Sequence, residues 1–437
     1  MKFTAALIYI IYMKAKFLTL LLILPVIALG CSSTKPEPEQ NPDPVVTPDP
    51  PTPVDPTPVD PTEGLAPEIH DGDLILVTNK HVEKFLTEVQ YPDHDYSYTK
   101  ILDYYGGFNG KKYDEDGNPD ENGKSVVKPV TDKPNEFTIR WTKDEAAGDL
   151  NFHLEEPTWS RDVTVSAGEF YVNVTNLVPG AHYTYKVSSI EKGTVLTEGS
   201  FDTEGHLHQV FFKSAIRNAR DLGGWKTYDG KRVKYRKVYR GGRLESGKLT
   251  KSGKKDLLAE GIRAQLDLRG VSDVLTKPAM EELAFCAPVI ETGGDAMMTK
   301  YVDKTKACFE FVVNCLREDK PVYFHCSLGR DRTGTFALIL LGVLDVIEGD
   351  ISKEYELTYF APRGYSIAES EDYKTFQNYR TKWAYKPAAE YIWNNFCKKE
   401  DGSFDKFSVG MEKFLLSIGI SQTDIDDFRS IMLEDAE

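Results

Sequence analysis

Apolar and polar positions alternate along the middle of the first half of the chain. Phe137, Ile139 and Trp141 fall on one face with Thr138 and Arg140 between them, and residues 170–174 repeat the pattern. A period of two is that of a half-buried strand, so residues 66–203 read as β structure. Further along the period changes. Residues 263–268 and the run Val322-Tyr323-Phe324 are strand-like, whereas Cys308 and Cys315 stand seven apart among Phe309, Phe311, Val312, Val313 and Leu316. That is the spacing of one helix face, so both cysteines are expected in a core. The apolar run 335–341 predicts a helix, and further helices are expected at 388–396, 409–416 and 424–433.

A chain of 437 residues exceeds one ordinary domain and predicts two. Its start reads as an export signal. Residues 1–12 are mostly apolar, but a cleaner signal begins at Met13, with Lys14 and Lys16 as the charged region and 17–28 as the apolar core. Ala28-Leu29-Gly30-Cys31-Ser32-Ser33 then resembles a bacterial lipoprotein box. That resemblance implies a signal peptide over residues 1–31, a lipid on Cys31 and a membrane attachment through that lipid. The protein would then sit at the bacterial cell envelope, on the outer membrane or cell surface, facing the periplasm or exterior. Residues 32–65 hold a short Pro-Val-Asp repeat and read as an extended proline-rich linker.

The formal net charge of −15 argues against nucleic acid as a partner, because its phosphates would be repelled. Beyond Cys31 the cysteines are Cys286, Cys308, Cys315, Cys326 and Cys397, an odd number with no CxxC and no metal spacing. No metal or other cofactor is expected. The acidic stretch 114–120 lacks the glycine and glutamate that a calcium loop needs, and reads as a solvated turn. It lies within 92–134, a polar stretch read as an insertion.

The chemistry concentrates in His325-Cys326-Ser327-Leu328-Gly329-Arg330-Asp331-Arg332-Thr333-Gly334. This run lies between a strand-like and a helix-like segment. A cysteine, five residues and an arginine in that setting make a phosphate cradle with a nucleophile at its base. The amides of residues 327–332 can converge on one anion, and the following helix adds the positive end of its dipole. Free cysteine has a pKa of about 8.5, which a helix N-terminus or a cation lowers, so a thiolate is the expected form of Cys326. Arg332 offers a planar fork for two phosphate oxygens. Gly329 permits close backbone approach, and Thr333 can donate to the regenerated thiolate. His325 reads as an organiser of the loop, because neighbours on a strand face opposite ways.

That run resembles the phosphate loop of the cysteine-dependent protein tyrosine phosphatases. It is most similar to the bacterial tyrosine/serine phosphatase group with HC-x-x-G-K-D-R-T-G. Arg217-Asn218-Ala219-Arg220-Asp221-Leu222-Gly223-Gly224, Tyr239-Arg240-Gly241-Gly242-Arg243-Leu244 and Leu266-Asp267-Leu268-Arg269 are similar to further segments of that group. The resemblance covers about 208–437. It implies an α/β domain at 206–437, with a central sheet flanked by helices and the loop at a strand C-terminus. It also implies metal-independent hydrolysis of a phosphomonoester, on a phosphorylated protein or an inositol phosphate. Arg330 replaces the usual lysine, and Gly270 stands where serine is frequent. Leu177-Val178-Pro179-Gly180-Ala181-His182-Tyr183-Thr184-Tyr185-Lys186-Val187 is similar to a run of fibronectin type III-like domains. That implies an all-β sandwich over 66–205.

The general acid stays open at this stage. The resemblance points to Asp331, with Asp267 at a strand end and Asp295 in a glycine loop as alternatives. Arg217, Arg220, Arg240 and Arg243 are read either as a basic rim for a polyanion or as structural ion-pair partners of Asp221 and Glu245. A surface protein that only binds a phospho-ligand is the reading from another class; Cys326, Arg332 and an acid in one chain disfavour it.

Overall fold

The computed structural model describes residues 64–94, 112–113, 119–120, 133–214, 216–245, 248–361 and 384–436. The signal segment with Cys31, nearly all of the proline-rich linker, and most of 92–134 with its acidic stretch lie outside the described residues. Residues 64–437 form one compact unit.

The first part of that unit is built from strands. A five-stranded sheet runs in the order β1-β7-β6-β3-β4, from β1 (Asp73–Leu76), β3 (Leu150–Glu156), β4 (Trp159–Val165), β6 (His182–Ser189) and β7 (Val195–Glu204). β2 (Phe137–Arg140) pairs antiparallel with β5 (Tyr171–Val174). Alternation along these strands sends Phe137, Ile139, Phe152, Leu154, Tyr183, Val187 and Phe201 into a shared core. Tyr183 stacks on Phe201, and its Oη accepts the Val178 amide at 3.0 Å, tying β6 to the turn before it.

The all-β expectation for 66–205 needs a correction, because α1 (Lys80–Glu88) is a helix within that span. Val82, Phe85, Leu86 and Val89 recur at helical spacing and bury themselves in the core of the second part of the chain. Phe85 meets Phe360 with ring centroids 5.7 Å apart. Asn79 caps the helix by accepting the His81 amide at 3.0 Å.

The second part is α/β. Its sheet runs β8-β10-β13-β11-β12, from β8 (Arg220–Asp221), β10 (Val238–Gly241), β11 (Ala264–Asp267), β12 (Ala284–Cys286) and β13 (Val322–His325). The last four strands are parallel, and β8 alone is antiparallel to its neighbour. A parallel sheet covered on both faces buries continuous apolar strands, and all four residues of β13 are buried at its centre. Helices flank it. α4 (Val302–Arg317) turns Cys308, Phe309, Val312 and Val313 inward. α5 (Asp331–Val343) is buried from Thr333 onward, which explains why its sequence is apolar all round. α6 (Glu348–Glu356) and α7 (Tyr385–Ile392) follow, then α8 (Phe407–Ser417) and α9 (Gln422–Met432), close to the predicted bounds. Among the described residues no helix is long and apolar enough to cross a membrane.

The two parts meet through polar groups on α2 (Lys251–Ala259) and around Arg236. Trp159 Nε1 donates to the Ala259 carbonyl at 2.7 Å, and the Arg236 guanidinium lies 4.0 Å over the Trp159 ring. Arg161 pairs with Asp256 at 2.8 Å. His208, fully buried, contacts Asp221 on one side and the Asn176 carbonyl on the other, both at 3.0 Å.

If α1 belongs to the core of the α/β part, Phe85→Ala should cost about 3–5 kcal/mol in urea unfolding of the whole chain. A loss below about 1 kcal/mol would show that the helix merely rests on the surface.

Candidate active site

Cys326 follows the central strand β13 and is 3% exposed. The register pairs His325 with Gly241 on one side and Asp267 on the other. The phosphate loop therefore leaves the sheet at the C-terminal end of its middle strand and turns directly into α5. Ligands of open α/β sheets collect at that edge.

The loop's carbonyls are held from outside. His325 Nδ1 lies 3.2 Å from the Cys326 carbonyl. Asn218 Nδ2 donates to the carbonyls of Leu328 at 3.2 Å and Gly329 at 2.8 Å, and Arg240 Nη2 also donates to Gly329. A trans peptide sets each N–H opposite the preceding carbonyl. Carbonyls tied outward at 326, 328 and 329 thus turn the amides of Ser327, Gly329 and Arg330 inward. The amides of Ser327, Leu328, Gly329, Asp331 and Arg332 find no acceptor among the described residues. This is an anion site made of backbone, at the N-terminus of a 13-residue helix.

Gly329 has a φ of +73°, and a Cβ there would come within 2.5 Å of the Gly241 backbone. The glycine is needed for close packing of the loop on β10 as well as for the turn. Arg332 donates to the Ile290 carbonyl at 3.0 Å, in the segment after β12. The Thr333 hydroxyl is buried and has no partner among the described residues. Ser327 donates its hydroxyl to Asp273. Arg330 is 5% exposed and forks onto both oxygens of Asp331, at 2.9 and 3.2 Å. Burial works against the Arg330 charge, but Asp331 keeps it well above its ordinary range.

The histidine beside the nucleophile has a defined tautomer. Gln265 Oε1 accepts the Ala279 amide at 2.7 Å, so Gln265 Nε2 faces His325 Nε2, 2.9 Å away, as donor. His325 Nε2 then accepts, and Nδ1–H donates to the Cys326 carbonyl. Burial outweighs the pull of Asp267, 3.8 Å from Nδ1, and pushes the His325 pKa below its ordinary value, which favours the neutral ring.

The carboxylates divide. Asp267 is fully buried and accepts from Arg269 Nε, Nη2 and amide at 2.9, 2.9 and 3.1 Å, and from the Leu275 amide at 2.9 Å. Burial opposes its charge, but these donors outweigh it and hold its pKa below the usual range. It is an acceptor that anchors Arg269, which disfavours it as a proton donor. Asp331 lies in the first turn of α5 with its side chain 35% exposed. Asp295 is exposed at the start of α3 (Ala296–Thr299) and caps no amide. Its neighbour Gly293 packs on the Asp331 backbone.

The arginines are not a rim as a set. Arg220 and Arg240 are 3% and 0% exposed, and both bind Glu354 of α6: Arg220 Nε at 2.9 Å and Arg240 Nη1 at 2.7 Å. Arg220 also donates to Asn218 Oδ1. The expected partner Asp221 instead accepts from the Gly223 and Arg236 amides at 2.8 and 2.6 Å. Arg243 does pair with Glu245, at 3.0 Å, and the Arg217 carbonyl accepts the Gly242 amide at 2.9 Å. Sequence assigns no role to Glu354, Asp273 or Gln265 and places Asn218 only within a motif of the resemblance. Gln265 carries a local signal as a polar residue in a buried strand.

A buried cysteine at the start of a loop with inward amides, at the strand–loop–helix edge of an α/β sheet, is the arrangement of phosphate-handling α/β proteins. The model of the tyrosine phosphatase family matches residues 213–434, and the chain belongs to that family. It is 29% identical to a protein of Cupriavidus necator whose name provisionally classes it as a tyrosine-protein phosphatase. That similarity covers 34% of this chain and 62% of the relative, so the chain spans under two thirds of the relative's length.

Glu354→Ala would strand two buried guanidinium groups. It should cost about 3–5 kcal/mol in urea unfolding and weaken phosphate binding along with stability. A variant as stable as the parent would show that the arginines find other acceptors. The depressed pKa of buried His325 predicts a pH effect. Unfolded imidazole takes up a proton near pH 6.5 and the folded ring does so only lower. In that window the unfolded state binds more protons, so stability is lost as pH falls below about 6.5. The stability difference between parent and His325→Asn should shrink on acidification; a constant difference would contradict the neutral ring.

Proposed function

We propose that this protein hydrolyses phosphomonoesters without a metal, as a protein tyrosine phosphatase working through a cysteinyl-phosphate intermediate. The observation that carries the reading is the set of inward amides above Cys326, with their carbonyls tied outward by His325, Asn218 and Arg240. Cys326 Sγ attacks phosphorus in line, the P–O bond to the leaving group breaks, and the phosphoryl group moves to sulfur. The amides and Arg332 carry the charge of the equatorial oxygens. Asp331, half-exposed in the first turn of α5, gives its proton to the leaving oxygen, and Arg330 then holds the carboxylate that is left. The Thr333 hydroxyl is available to the sulfur when it is regenerated.

The preferred substrate is a phosphorylated tyrosine in protein, with phosphoserine or phosphothreonine as lesser ones. Inositol phosphates are the alternative. They would call for spare cations, yet Arg330 is bound to Asp331, and Arg220 and Arg240 are buried on Glu354. The β-rich part is proposed as a fibronectin type III-like sandwich, supported by the Tyr183–Val178 tie. A lipid on Cys31 would hold the enzyme at the cell envelope.

In chelator, the parent should turn over a phosphotyrosine peptide with a higher kcat/KM than inositol hexakisphosphate, and Cys326→Ser should abolish turnover. Equal turnover by Cys326→Ser would reject the nucleophile. Asp331→Asn should slow alkyl phosphates by about 10²–10⁴-fold, and aryl phosphates with good leaving groups far less. A uniform effect would move the acid elsewhere.

A further inference from the structure

Four aspartates stand in or beside the phosphate loop and its neighbouring turns, and their hydrogen bonds separate them. Asp267 is buried under four donors. Asp331 has one oxygen on each arm of Arg330. Asp295 is exposed and caps no amide. Asp273 differs from all three. Its Oδ2 accepts the hydroxyl of Ser327, the residue directly after Cys326, its Oδ1 accepts no hydrogen bond among the described residues, and its charge acts on the Arg269 guanidinium.

Asp273 is also firmly placed. Its amide and that of Val274 close a turn on the Gly270 carbonyl at 3.1 and 2.9 Å. The turn is pinned at both ends: the Val271 amide donates to Glu291 at 2.9 Å, and the Leu275 amide to Asp267 at 2.9 Å. A carboxylate with one oxygen fixed and the other open is thus held against the side chain of Ser327, the residue after Cys326.

We infer that Asp273 is the base of the second half-reaction and activates the water that hydrolyses the cysteinyl phosphate. This rests on the intermediate proposed above. A water proton passes to Asp273 Oδ1, the water oxygen bonds to phosphorus, and the P–S bond breaks with its electron pair returning to Cys326 Sγ. Inorganic phosphate leaves, and Asp273 gives its proton to solvent. Asp331 is less suited to this step, because after protonating the leaving group it is a carboxylate with both oxygens on Arg330. Ser327 is a positioning residue that aims the Asp273 carboxylate.

The test is rapid mixing of the full chain with an aryl phosphate whose leaving group needs no acid, for the parent, Asp273→Asn, Ser327→Ala and Cys326→Ser. Asp273→Asn should keep the first-turnover burst and lose about 10²–10³-fold in the steady-state rate. Mass measurement should then find phosphate on Cys326. Ser327→Ala should show a smaller loss in the same phase. An unchanged steady state in Asp273→Asn overturns the inference, and so does an equal loss in burst and steady state. Failure of the intermediate itself looks different: the parent would show no burst and no phosphate on Cys326, and Cys326→Ser would still turn over.

Discussion

Glu354 holds together the parts on which the anion site depends. Its carboxylate lies between the buried guanidinium groups of Arg220 and Arg240. Arg240 passes that anchorage to the Gly329 carbonyl, and Arg220 passes it to Asn218, which holds the carbonyls of Leu328 and Gly329. Taking three charges out of water is costly, and a buried ionic group contributes little net stability over an apolar replacement. What it supplies is direction. A loop whose carbonyls are bound from behind must show its amides in front, before any phosphate arrives, so little reorganisation remains for the reaction.

The helix that carries Glu354 connects more than the loop. On α6, Tyr355 lies 3.4 Å from Asp331, Lys353 donates to the Leu86 carbonyl at 3.0 Å, and Glu356 accepts from Tyr91. Residues early in the chain, on and after α1, thus rest on the same helix that braces the active-site loop. A second junction runs from Trp159 through Arg236 to Glu260. Burial of Arg236 works against its charge, and Glu260 holds it protonated. The β-rich and α/β parts share buried charges, so they are joined more tightly than domains on a flexible linker.

Much of this architecture was legible in the sequence. The alternation around Phe137 and Tyr171 became paired strands β2 and β5. The apolar run after Thr333 became a buried helix, and the periodic stretches near the C-terminus became α8 and α9. Period reports burial on one face, and burial is the dominant local constraint. Helix α1 escaped because nine residues stood alone in a stretch read as strands, and its apolar stripe is buried by a core more than a hundred residues further along the chain.

The sequence by itself singled out the proposed nucleophile and its setting. A cysteine, a glycine and an arginine at fixed spacing between strand and helix are local chemistry, because one peptide turn brings them together. Only the tertiary structure decided how the surrounding charges are used. Arg220 and Arg240 could be read as a rim or as structural partners and are buried on Glu354; Asp267, an alternative acid in the sequence, accepts from Arg269; Asp273 carried no signal and touches the loop. These pairings close across 54 to 134 residues, except Asp267–Arg269, two residues apart, which depends on burial. Charge and spacing along the chain do not tell which carboxylate a guanidinium will meet once both have left water.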